Sequence, residues 1–295
     1  MAAHVLPVQE PLLNGCEKWR TIKPTAGSPQ ARVAHAQAVV GGELLIFGGR
    51  AGIQIGECPL NDLWALHFEQ CEHQEGSWKQ IDYHAGEPPC PRSFHCATAV
   101  GAKLYIFGGC GESGRLADLH EFDLMSRAWR RLPDPIGISG RGGAMLQAST
   151  DGTALWLIGG FAGVETNDLL RYDIASQTWK RYPSDWLRPR SVCASFRLGD
   201  SIFCFGGEVS PSDRGHEGAG GFAGDLIAFD ATTGAPLQVS MVSDASTLGL
   251  PPARGWAAAA AISNTSAVLF GGLSGDDASP MRLDDCWIVT IGNTS

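Results

Sequence analysis

Short apolar runs, each closed by two glycines, recur along the chain. LLIFGG ends at Gly49, LYIFGG at Gly109, LWLIGG at Gly160, IFCFGG at Gly207 and AVLFGG at Gly272. Continuous apolar runs of this length, bounded by glycine, read as buried strands. An arginine precedes the first glycine of each run by 16 to 18 residues: Arg32, Arg92, Arg141, Arg190 and Arg254. After each run comes an Asp-bearing apolar segment: NDLWALHF, LADLHEFD, TNDLLRYD, AGDLIAFD and LDDCWIVT. A tryptophan then opens a fourth segment, at Trp78, Trp129 and Trp179. Short alternating strands with glycine-rich turns leave little room for helices.

The first glycines are spaced by 60, 51, 47 and 65 residues. A period near 50 with insertions is the kelch pattern, one propeller blade per repeat. The expected fold is therefore all-β, a kelch-type β-propeller of five blades with four antiparallel strands each, six blades being the alternative. The fourth repeat has APLQVSMV where the Trp-led strand belongs, and the fifth has no fourth strand before the chain ends. CEKWRTI, with Trp19, matches the missing pattern. An N-terminal strand completing the last blade would close the ring and remove its open edges. Residues 1–15 are then a tail and 16–295 a single domain. The glycine pairs allow positive φ and close approach of neighbouring blades, and the tryptophans fill the space between blades.

Composition narrows the function classes. The formal charge is −9, from 22 basic and 31 acidic residues, which disfavours a nucleic-acid partner. No apolar run is long enough to span a membrane, and the first residues lack the basic and apolar regions of a secretory signal. Nine cysteines without a C-x-x-C pair read as reduced thiols in a cytoplasmic or nuclear setting. Cys96, Cys193, Cys204 and Cys286 fall in apolar, strand-like runs and read as small hydrophobes. No nucleophile elbow, phosphate loop or Cys–His pairing is present.

Two features carry candidate chemistry. The five arginines, set at one place in each repeat, either form an anion-binding ring through their planar donor forks or pair with a carboxylate of the next blade. His35 and His95, three residues after Arg32 and Arg92, read as packed core histidines. The second feature is the insert FGGEVSPSDRGHEGAGGFAGD, where Glu208, Asp213 and His216 could hold a divalent metal through mixed oxygen and nitrogen ligands; its bland alternative is a solvated polar loop.

The insert, followed by PPARGWAAAAA and FGGLSGDDASPMRLDDCW, resembles the plant nitrile-specifier and epithiospecifier branch of kelch proteins and its wider relatives. The likeness runs from about Arg32 to the C-terminus and is strongest over the last two repeats. It implies ferrous iron near the propeller axis, with arginines holding a sulfate. Glu208 and His216 match the first and third iron-ligand positions. The middle position, an Asp in the family, is Ser212 here, with Asp213 one step later, and a hydroxyl is a poorer ferrous ligand than a carboxylate. The family pattern also has six blades.

The expected function is a soluble kelch binding protein that takes a protein or small anionic ligand at the axial loop face. The ligand-binding candidates are Arg32, Arg92, Arg141, Arg190, Arg254 and Trp256. The alternatives are an iron(II)-dependent specifier-like protein using Glu208, Asp213 and His216, or an accessory isomerase or lyase.

Overall fold

The computed structural model describes residues 2–7, 23–24, 27–52, 57–68, 75–212, 220–243 and 249–292. No helix occurs among them, and five antiparallel sheets follow one another along the chain as the blades of a five-bladed β-propeller fold. The chain divides into two compact units, one of residues 17–148 and 173–179, the other of 1–16, 149–172 and 180–295.

In the first unit, β1 (Ala2–Pro7) being elsewhere, β2 (Lys23–Pro24), β3 (Ala36–Val40), β4 (Glu43–Arg50), β5 (Pro59–Phe68) and β6 (Glu75–Gln80) form a sheet in the order β2-β6-β5-β4-β3. β7 (Cys96–Val100), β8 (Lys103–Gly111), β9 (Gly114–Asp123) and β10 (Ala128–Leu132) form the next. β11 (Met145–Ala148), β12 (Ala154–Ile158), β13 (Leu169–Asp173) and β14 (Thr178–Tyr182) form the third sheet in that order, β12 being a strand of the other unit.

In the second unit, β15 (Ala194–Leu198) and β16 (Ser201–Phe205) lead into a small hairpin, β17 (Glu208–Ser210) with β18 (Gly221–Phe222). β19 (Leu226–Asp230) and β20 (Pro236–Leu237) complete the fourth sheet. The last sheet joins β21 (Ser240–Ser243), β1, β24 (Pro280–Gly292), β23 (Ser266–Gly275) and β22 (Ala258–Ala261), in that order.

Four strands per sheet were expected, and the first and last sheets carry a fifth, laid on in parallel. β2 runs beside β6 and β21 beside β1, and a single parallel bridge joins Ala85 to Ala128 in the second sheet. An N-terminal strand does complete the last sheet. It is Ala2–Pro7, paired antiparallel with Trp287–Gly292; the Cys16–Ile22 segment singled out by Trp19 lies outside the described residues. APLQVSMV is not one strand. Pro236–Leu237 stays on β19, while Ser240–Ser243 crosses to β1 and stands at the end of that sheet's order.

The glycine pair has a demonstrable reason. Both glycines have positive φ in every repeat, 59° and 93° at Gly48 and Gly49 and 69° and 96° at Gly206 and Gly207. The second N–H reaches the arginine carbonyl of the following repeat, Gly49 to Arg92 at 2.9 Å and Gly207 to Arg254 at 2.8 Å. A Cβ on Gly206 would stand 2.3 Å from that Arg254 oxygen. Only glycine satisfies both the dihedral and the approach.

Apolar faces of adjacent sheets make the cores. Phe47, Leu63, Leu104, Ile106, Phe122 and Trp129 interdigitate in the first unit; Phe196, Phe203, Leu226, Leu269 and Trp287 do so in the second. Trp129 fills the inter-sheet space as expected, its ring 5.4 Å from Phe47 and 4.9 Å from Phe122. Burial at this level is worth roughly 1.5–3 kcal/mol per large side chain. His95 is a core histidine: it is buried, its Nε2 lies 3.1 Å from the Phe47 carbonyl, and burial pushes its pKa down to about 3. His35 is half-buried, its pKa lowered by burial and then by Arg32. Cys204 is buried, but Cys286 is exposed, because it shares a row with exposed Phe270 on the outward face of β24.

Candidate functional site

The arginines are clamps inside their own repeats. In Arg92, Nε donates to the Cys90 carbonyl at 3.0 Å, Nη1 to Gly108 O at 3.0 Å and Asp118 at 2.7 Å, and Nη2 to Asp118 at 2.8 Å. The same set recurs in Arg32 on Asp62, Arg190 on Asp225 and Arg254 on Asp285. In each, Nη1 also bonds the carbonyl of the first glycine: Gly48, Gly206 or Gly271. Arg141 is buried as well, its Nε on the Ser139 carbonyl at 3.1 Å.

The carboxylate comes from the third strand of the same sheet, not from the next blade. In these four arginines the fork faces Asp and the glycine turn, so an external anion would have to displace an internal carboxylate. The partner pays with its own pKa: Arg92 and His120 together hold Asp118 far below the usual carboxylate range despite burial. The clamp Asp residues are those of the Asp-bearing segments that follow each glycine pair, 26 to 35 residues after their arginines.

The residue after each glycine pair is the part that changes. It is Arg50, Cys110, Phe161, Glu208 and Leu273 in turn. In the first unit, Arg50 is buried with its guanidinium over the Phe94 ring, 4.7 Å from the centroid. In the second, Glu208 is buried and exchanges backbone hydrogen bonds with Ser191 at 2.9 and 3.0 Å. The residue two beyond the arginine also recurs in the left-handed region, at Ala34, Phe94, Val192 and Trp256 with φ between 49° and 63°. Within the first unit Phe94 N–H donates to Ala34 O, and within the second Trp256 N–H donates to Val192 O, each at 2.9 Å. Trp256, half-buried, thus stands beside Arg254 at an unusual backbone position, held by its own N–H.

Glu208 closes the base of the insert. Its Oε1 accepts the Ser212 N–H at 3.3 Å, and the Gly220 N–H also reaches the carboxylate. Ser212 Oγ donates to Asp277 at 2.5 Å, stitching the insert to the loop of the next repeat. The Ser212 position therefore does structural work for which a hydroxyl donor suits and a carboxylate would not. Asp213 and His216 lie outside the described residues. Among the described residues no group of three His, Cys, Asp or Glu side chains is disposed to hold a metal ion. What is described of the insert is a stitched loop, with the Glu208 carboxylate taking two backbone donors. Burial raises the Glu208 pKa, those N–H groups oppose the rise, and Asp277 adds to it.

One acid escaped the sequence reading. Glu165, in the β12–β13 connection, has both carboxylate oxygens turned in from solvent. Burial, with a smaller push from Glu208, raises its pKa to about 7, against the Ser191 hydroxyl turned toward it. Nothing in the repeat marks Glu165, because it sits in a connection whose length differs between repeats.

Residues 14–207 match the KLHDC2/KLHL20/DRC7 kelch-repeats domain. The chain belongs to the kelch-repeat family. Its kelch repeats are 30% identical over 220 residues to human kelch domain-containing protein 3, covering 69% of this chain and 54% of that protein. They are similar also to the Drosophila melanogaster leucine-zipper-like transcriptional regulator 1 homolog, at 30% over 207 residues, 66% of this chain and 20% of that one. Rice adagio-like protein 1 is 28% identical over 199 residues, 64% of this chain and 29% of that one. The kelch chain thus spans about half or less of the length of these relatives.

Proposed function

We propose that the chain is a kelch-repeat binding module that takes a partner protein at the loop ends of its sheets. The observation that carries this reading is a contrast within each repeat. The glycine pair recurs unchanged in all five repeats, and the Arg–Asp clamp recurs in at least four, while the next residue varies in charge and size from Arg50 to Leu273. A rigid, repeated frame carrying variable end residues is how binding surfaces are built. Function rests on such a surface and not on the propeller itself.

A small anionic ligand draws less support, since the forks of Arg32, Arg92, Arg190 and Arg254 face their own aspartates. An iron-dependent, specifier-like activity would need Glu208, Asp213 and His216 together on the metal, and Glu208 is engaged in closing the insert.

The test is site-specific photocrosslinking in cells of the protein's own source. A crosslinker replacing Val164, 67% exposed in the β12–β13 connection, should capture a defined partner. One replacing Ile262, 56% exposed in the β22–β23 turn at the far end of its sheet, should not. Equal capture from both positions, or none from Val164, would overturn the assignment.

A further inference from the structure

Two hairpins of the second unit are tied to each other. One is β17–β18, in the fourth repeat, and the other joins β23 to β24, with Gly275 paired to Pro280 at its turn. The base of the tie is built into the sheets. Phe222 of β18 packs on Gly255, where a Cβ would stand 2.8 Å from its ring. Gly255 in turn exchanges backbone hydrogen bonds with Leu273 of β23 at 3.0 and 2.8 Å. Further out, Ser212 makes the connection. Its N–H donates to Glu208 Oε1 at 3.3 Å and its hydroxyl donates to Asp277 at 2.5 Å.

Each end of that connection is held by its own hairpin. Pro211 restricts the backbone just before Ser212. The Gly220 backbone lies against the Glu208–Ser212 junction, where a Cβ would stand 2.4 Å from Glu208 Oε1 and 2.8 Å from Ser212 N. On the other hairpin, Asp276 accepts the N–H groups of Ala278 and Ser279 at 3.0 and 2.8 Å, which fixes the turn around Asp277. Glu208 and Asp277 are both acids, so a donor between them is what lets the two loops approach. Ser212 supplies donors in both directions. Ends set in place beforehand lose little entropy when they join, so the bond forms or breaks without remodelling either hairpin.

We infer that Ser212 and Asp277 form a latch, through which the outer parts of the two hairpins open and close together about a base that stays packed. Closed, the latch makes one continuous surface of the loops of the last two sheets. Open, it lets Ser212 part from the β23–β24 turn while Phe222 stays on Gly255. The latch is a property of the chain alone and is independent of whether a partner docks there.

The experiment is NMR relaxation dispersion on the full chain, which reads motion on the μs–ms scale. In the wild type, the Ser212 and Asp277 amides should report one shared exchange rate and one minor state. Ser212→Ala should raise the population of that state by about tenfold, the size expected for losing a hydrogen bond to a charged group. The change should appear at residues 276–279 as well as at 208–212. Asp277→Ala should produce the same change at both places, and the double variant should match either single one, because all remove the same bond. Different rates on the two hairpins, or variants that disturb only their own hairpin, overturn the inference. Flat profiles in the wild type and both variants overturn it as well. The wild-type comparison needs no variant to fold, and unchanged signals from β7–β8 show that the variants are folded.

Discussion

At the scale of single residues, the Arg–Asp clamp sets local stability. Arg92 is fully buried and Asp118 is 15% exposed, so removing the carboxylate leaves a guanidinium without its counter-charge. Asp118→Ala should lower stability by about 3–5 kcal/mol, read from urea midpoints. Asp225→Ala should cost less, because Asp225 is 52% exposed and water can replace it. The arginines were legible in the sequence as a period. Their purpose was not, because a spacing reports that a position repeats and not which partner it meets. Glu165 gives the opposite lesson, as its character arises chiefly from burial in the fold. Its pKa stands near 4.5 in the unfolded chain and about 7 in the folded one, so between those values the folded state holds the extra proton. Stability should therefore fall as pH rises from 4.5 to 7 and stay lowered above it, by roughly 1 kcal/mol after screening of a partly exposed group. Melting at pH 5 and pH 8 should show a smaller drop for Glu165→Gln than for the wild type.

At the scale of elements, sheet order depended on a pairing that local sequence does not encode. The glycine-closed strands were legible because each is a continuous apolar run, and their turns demand a residue with free φ. The terminal strand was not. Ala2–Pro7 carries no tryptophan and no repeat signature, and it is a strand because β24 presents an edge on one side and β21 on the other. Edges recruit whatever chain can satisfy their hydrogen bonds. Deleting residues 2–7 should therefore release β21 from the last sheet and leave one edge of β24 open. Amide exchange should accelerate in Val289–Gly292 and Ser240–Ser243 while the β7–β8 amides of the second sheet stay protected. Uniform acceleration throughout would mean that the strand holds more than its own sheet.

At the scale of the whole molecule, charge acts in two ways that salt can separate. The net charge of −9 creates a long-range field that draws any basic partner and weakens as the Debye length shrinks. A single half-buried acid such as Glu165 works at contact distance, where screening is weaker than between distant exposed charges. Raising ionic strength from low to physiological salt should then slow association of a basic partner while leaving the drop in stability between pH 5 and pH 8 little changed. Glu165→Gln should do the reverse: the salt dependence of association persists, since eight of the nine excess negative charges remain, while the drop between pH 5 and pH 8 becomes smaller. Stopped-flow traces at two salt concentrations give the association rate, and melting at the two pH values gives the drop. If the variant instead flattened the salt dependence of association, Glu165 would be part of the general field and not a group that acts through its own burial.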